Sequence, residues 1–155
     1  MALIAESVAS ANARIRFFRV AFGAGGQDAR IARGEVVSIL SDMLRGGRIQ
    51  MDWLSPPELP RPEVKLVFLL LQCVETALAY GGKVRVERGE AGWQIRAEAA
   101  RMKIDPALWE VLTERHAPPE IAAGQVHFAL VPGALAEQGL RLVTELKDNA
   151  IRLSF

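Results

Sequence analysis

The chain has 155 residues, with 19 basic against 18 acidic side chains and a net charge of +1. Half of its residues are hydrophobic and 24% are charged, which fits one globular core and excludes a disordered chain. The charge balance argues against a nucleic-acid partner, and the longest apolar run, Leu66 to Leu71, is too short to span a bilayer. The single cysteine, Cys73, excludes an intramolecular disulfide and fits a reducing compartment. No basic segment precedes an apolar one at Met1 to Glu6, so no secretory signal is expected, and the expected location is cytoplasmic.

Residues 2 to 22 have the pattern of an amphipathic helix. Ile4, Val8, Ala11, Ile15, Phe18 and Phe22 follow the 4-3-4-3-4 spacing of a bundle or coiled-coil helix. Leu3, Ala13, Phe17, Val20 and Ala21 make a second, looser apolar strip, and a helix with two apolar faces is expected to have two neighbours. Asn12, Arg16 and Arg19 share the polar sector between them, and Gly23-Ala24-Gly25-Gly26 stops the helix and serves as a linker.

A second helix is predicted over 32 to 45 and ends at Gly46-Gly47. Arg48 to Leu54 alternates as a strand, and Ser55-Pro56-Pro57-Glu58-Leu59-Pro60 breaks the chain into a loop. Residues 62 to 80 form a helix apolar around most of its circumference, which predicts burial on most sides. Lys83 to Arg88 and Trp93 to Ala99 flank the turn Gly89-Glu90-Ala91-Gly92 and read as a hairpin. Asp105-Pro106 is a helix start, an acid at the N-cap followed by proline at the first helical position. Residues 125 to 138 read as helical despite Pro132 and Gly133, and a closing hairpin turns around Lys147-Asp148-Asn149. About five strands and five helices result.

Most catalytic signatures are missing. The chain has no Cys-x-x-Cys pair, no His-Glu-x-x-His, no nucleophile elbow and no Walker-type phosphate loop. No metal site is expected. His116 precedes a double proline and His127 lies among Val126, Phe128 and Leu130. Neither is followed by an acid that would orient its ring. Cys73 reads as a core thiol, Trp53, Trp93 and Trp109 as packing residues, and Glu87 and Glu90 as solvated charges beside a turn.

The stretch from Leu3 to Ala24, Leu-Ile-Ala-Glu-Ser-Val-Ala-Ser-Ala continuing to Arg-Ile-Arg-Phe-Phe-Arg-Val-Ala-Phe-Gly-Ala, resembles the second helix of ChpT-type histidine phosphotransferases. Leu59-Pro60-Arg61-Pro62 leading into the long apolar helix, then Gly81-Gly82 and a strand, is similar as well. The resemblance implies an α+β fold. A bundle-type N-terminal helix (residues 1–24) would precede a degenerate histidine-kinase-like ATPase sandwich of the Bergerat or GHKL type (residues 30–155). It further implies a homodimer through the N-terminal helix and receiver domains of response regulators as partners. The activity implied is relay of phosphate between receivers, with magnesium supplied by the receiver and no cofactor of the protein's own. In that family a histidine followed by aspartate on the first bundle helix accepts the phosphate. That helix should precede residue 1, and neither His116 nor His127 has a matching context, so no residue of this chain receives the catalytic role.

Receiver docking along the bundle points to Glu6, Ser10, Ala13 and Phe17, unless these pack against the bundle's first helix instead. Related ATPases hold magnesium with asparagine on the long helix and follow the later strand with a glycine-bearing Asp-x-Gly-x-Gly. Here the corresponding positions carry Gln72, Thr76, Glu98 and Arg101, with Gln72-Cys73-Val74-Glu75-Thr76-Ala77 on the helix and Ala97-Glu98-Ala99-Ala100-Arg101 after the strand. The last helix begins Gly124-Gln125-Val126-His127-Phe128 where a phosphate clamp would be expected. ATP binding is therefore not expected. Two alternatives stand beside the phosphorelay reading. One is a non-catalytic module that binds receivers or forms mixed dimers. The other is a small-molecule sensor using Gln72, Glu75, Glu98 and Arg101.

Overall fold

The computed structural model describes residues 2–23, 26, 28–112 and 125–155, with the backbone alone for residues 2–7. Among the described residues there are five helices and seven strands. Helix α1 (Ala2–Phe22) is followed by β1 (Arg30–Ala32), α2 (Arg33–Leu44), β2 (Ile49–Leu54), β3 (Glu58–Pro60) and α3 (Arg61–Ala77). Then come β4 (Gly82–Gly89), β5 (Gly92–Glu98), α4 (Pro106–Glu110), α5 (Val126–Glu137), β6 (Val143–Leu146) and β7 (Ala150–Ser154).

The main sheet has the order β2-β4-β5-β7-β6, with β2 and β4 parallel and the other pairs antiparallel. Its strands alternate because one face is covered and the other is open. Val84, Val86, Trp93, Ile95, Ala97, Ile151 and Leu153 point to the covered face and are buried. On that side α3 is the centre of the core: Val64, Leu66 to Leu71, Cys73, Val74 and Ala77 are all buried. A side chain is needed nearly all round this helix because the sheet, α1 and α5 each take part of its circumference.

Short β1 and β3 form a separate antiparallel ribbon that places Ile31 against Leu59, both buried. The sequence pattern here reads as a loop because the apolar signal is one residue per strand. The pairing is set by backbone groups: the Arg61 amide donates to the Ala29 carbonyl at 2.8 Å and the Arg33 amide to Pro57 at 2.9 Å. The remaining boundaries follow their local signals. Asp105 caps α4 by accepting from the Ala107 amide at 3.2 Å, and Pro132 is accommodated inside α5. At Gly81 and Gly82, φ values of 92° and 155° bring the backbone against Arg48 and the Glu98 carbonyl, where a Cβ would collide.

Helix α1 packs on α2 and α3 through its looser strip. Ala13, Phe17, Val20 and Ala21 are buried in the same apolar cluster as the sheet and α3. The Phe17 ring lies parallel to Phe68 with centroids 4.4 Å apart. Lys65 Nζ donates to the Gly23 carbonyl at 3.1 Å, placing a cation at the negative end of α1. At the other end of the core, Glu63 on the first turn of α3 accepts from Trp93 Nε1 at 2.7 Å and Arg88 Nε at 3.0 Å. That carboxylate ties the central helix to the β4–β5 hairpin.

The Phe17→Ala substitution should therefore lower unfolding stability by about 3–5 kcal/mol. Phe18→Ala, one residue along on a face 40% exposed, should change it by less than about 1 kcal/mol. Urea unfolding of both variants checks the orientation of α1.

Candidate functional site

Helix α1 has two apolar strips, and only one of them is covered among the described residues. The inward strip is made of small and flat side chains, alanines at 13 and 21 around Phe17, which let α1 lie close to α2 and α3. Its flanks are tied by surface ion pairs, Arg14 to Glu75 on α3 at 3.4 Å and Arg16 to Asp42 on α2 at 3.8 Å. Pairs this exposed add little stability, and they orient the helix more than they hold it.

The outward strip is the one with the heptad spacing. Val8 is 55% exposed, Ile15 50%, Phe18 40% and Phe22 41%. The Phe18 and Phe22 rings meet at 5.7 Å, giving a continuous apolar ridge along the lower half of the helix. Large side chains at this regularity, left in solvent, mark an interaction surface. Sequence periodicity identifies both strips. It does not reveal which one the chain keeps for itself; the small residues at 13 and 21 are the signal that could have done so.

This arrangement corrects the docking set. Ala13 and Phe17 are 1% and 2% exposed, sealed in the chain's own core, and Ser10 is half-buried beside them. Glu6 belongs to the turn above, where only the backbone is described. Receivers cannot reach Ala13 or Phe17 without α1 leaving the sandwich.

The four nucleotide-pocket positions are not brought together either. Thr76 lies on α3 with its hydroxyl donating back to the Cys73 carbonyl at 2.6 Å. Gln72 is half-buried, its Oε1 without a hydrogen-bond partner among the described residues. Glu98 alternates to the open face of the sheet, opposite Lys83 and Ala150, with the whole sheet between it and α3. Arg101 lies over the Tyr80 ring at 4.6 Å, and Glu75 is engaged by Arg14. The quartet Gln72, Glu75, Glu98 and Arg101 therefore lines no common sensor pocket. Helices α3 and α5 pack on each other directly, and Trp109, Phe128 and Val131 are buried, with Trp109 edge-on to Phe128 at 5.4 Å. The Gln138 amide closes that seam by donating to the Pro62 carbonyl at 2.9 Å.

Neither the described histidine nor the cysteine is placed for group transfer. His127 is buried, packs on Phe128 at 4.9 Å, and burial lowers its pKa. Burial raises the Cys73 thiol well above its ordinary value, so it is no thiolate at neutral pH. His116 and Gly124 lie outside the described residues. No cluster of metal-ligating side chains occurs among the described residues, and no described helix is long and apolar enough to cross a membrane.

Residues 33–150 match the family described as the histidine phosphotransferase C-terminal domain. The chain belongs to this family. It is 29% identical over 117 residues to the protein phosphotransferase ChpT of Brucella abortus (strain 2308), a match covering 72% of this chain and 56% of that protein. The chain thus spans just over half the length of this curated relative. A solved bacterial phosphotransferase aligns over 99% of this chain and 77% of its own, with a TM-score of 0.82 at 24% identity. The histidine kinase domain of the blue-light-activated kinase EL346 from Erythrobacter litoralis aligns over 99% of this chain and 82% of its own, with a TM-score of 0.53 at 12% identity. The fold of this family member is accordingly the α/β sandwich of histidine kinases, with α1 laid along it.

A buried histidine gives the family member a pH signature. The folded pKa of His127 is below its unfolded value, so as pH falls through about 6.5 the unfolded chain takes up the proton first and stability is lost. Urea midpoints at about pH 7.5 and 5.5 should show a shallower loss for His127→Gln than for the unaltered chain. Equal losses would contradict the assignment.

Proposed function

We propose that the chain is the dimerising and sandwich part of a histidine phosphotransferase that relays phosphate between receiver domains of response regulators, without ATP-dependent kinase activity. The observation that carries this reading is the uncovered heptad strip Val8, Ile15, Phe18 and Phe22 on a helix whose other face is sealed to a histidine-kinase-like sandwich. A bundle helix must face a partner helix and a second protomer. That strip supplies the second face.

In this reading Ala13 and Phe17 act by fixing α1 on the sandwich, and receivers dock on the bundle that the outward strip assembles. The transfer itself needs positioning and charge stabilisation more than covalent help from this chain, and magnesium comes with the receiver. The acceptor histidine would stand on a bundle helix other than those described, since His127 is buried. That same burial supports a second reading, a module that binds receivers or pairs with a complete phosphotransferase without carrying phosphate. Absence of ATP use is supported by Thr76 folding back onto Cys73, by Glu98 facing away from α3, and by Ala99-Ala100-Arg101 where glycine would be needed.

Calorimetric titration tests the proposal. At least one receiver domain of the same organism should bind saturably, and binding should be lost in the Ile15→Glu, Phe18→Glu double variant. Magnesium-ATP should show no Kd tighter than about 1 mM, equivalent to about −4 kcal/mol. Tight magnesium-ATP binding without receiver binding would overturn it. Transfer of phosphate from a phosphorylated receiver onto the assembled protein separates the relay from the non-catalytic module.

A further inference from the structure

The open face of the sheet carries a charge pattern that the phosphorelay reading does not use. Strand register places Asp52 opposite Arg85, Arg85 opposite Arg96, Arg96 opposite Arg152, and Arg152 opposite Glu145. One straight row across all five strands therefore reads acid, three arginines, acid. All five side chains are exposed. Like charges directly opposite on neighbouring strands destabilise a sheet, and the acids around the row, Asp52 and Glu145 at its ends and Glu87 and Glu98 on the rows beside it, offset them only in part. Arg85 reaches Glu87 only at 4.0 Å and Arg152 reaches Glu145 only at 3.9 Å. Arg96, the middle of the row, makes no ion pair or hydrogen bond among the described residues. A shallow depression of about 200 Å³ opens beside it, lined by Arg96, Arg152 and Lys147 together with Glu98 and Glu145.

We propose that this arginine row is a docking site for an acidic helix of a protein partner, laid across the strands. The spacing commits the occupant. Neighbouring strands are about 4.8 Å apart, so the three guanidinium groups span about 10 Å. Helix positions i, i+3 or i+4, and i+7 rise by about 0, 5 and 10.5 Å, so three carboxylates on one helix face meet the three arginines in turn. Asp52 and Glu145 close the row at both ends and require neutral or basic residues beyond the acidic triplet. A nucleic acid fits the row poorly. Its phosphates continue past three positions and would meet Asp52 and Glu145 at the ends.

The probe is a fluorescent helical peptide with glutamates at i, i+4 and i+7 flanked by lysines, compared with a scrambled peptide of the same composition. Anisotropy at about 50 mM salt should show the registered peptide binding at least about tenfold tighter than the scramble, and at about 500 mM salt both should weaken. Arg96→Gln should remove the preference while leaving the urea midpoint unchanged or higher, because it relieves the like-charge row. Asp52→Asn with Glu145→Gln should tighten binding of a uniformly acidic peptide. The proposal is overturned if the two peptides bind equally or not at all, or if a single-stranded oligonucleotide binds more tightly than the registered peptide. It is overturned equally if Arg96→Gln lowers the urea midpoint and keeps the preference.

Discussion

The parallel stack of Phe17 on Phe68, at 4.4 Å, joins the first helix to the most buried helix of the chain. Most of the structure's functional meaning depends on that contact. Phe68 also meets the Trp53 ring edge-on at 6.3 Å, and Trp53 meets Trp93 at 5.4 Å. One line of aromatic packing thus runs from α1 through α3 to the β4–β5 hairpin. Alanines at 13 and 21 let α1 approach closely enough for the stack to form. Because the stack fixes the rotation of α1 about its axis, it also fixes which side chains are left outside: Val8, Ile15, Phe18 and Phe22.

A helix held this way can present a constant surface to a bundle partner while its own sandwich stays attached. The sandwich is related in fold to histidine kinases, yet the side chains that the sequence resemblance puts at nucleotide positions are directed elsewhere. Thr76 returns to its own helix, Arg101 covers Tyr80, and Glu98 lies across the sheet. Trp109 and Phe128 pack edge to face within the core.

Much of this was legible from residue pattern alone. The span of α1, the long apolar α3, the Asp105-Pro106 start and both hairpins follow from periodicity, caps and glycine pairs, each of which is a local signal. The β1–β3 ribbon was not, because three-residue strands carry no periodicity and their pairing is a matter of tertiary backbone contacts. Candidate site residues fared worse for a related reason. Helical spacing put Glu6, Ser10, Ala13 and Phe17 on one face, but which face a domain covers is decided by the shape of α2 and α3. The position of Glu98 followed from strand alternation once the inward partner Ala97 was known. The arginine row needed strand register across four pairings, and residues 85, 96 and 152 have no sequence relation to one another.

The central claim is that the chain keeps the Phe17 face of α1 and offers the Phe18 face. Sedimentation equilibrium over a wide concentration range, run with thermal unfolding on the same samples, tests it most directly. The account predicts that the unaltered chain self-associates above its monomer mass of 17.0 kDa. Ile15→Glu with Phe18→Glu should return it to that mass with little change in melting temperature. A chain that stays monomeric at every concentration, or a double variant that unfolds as a core variant does, would contradict the account.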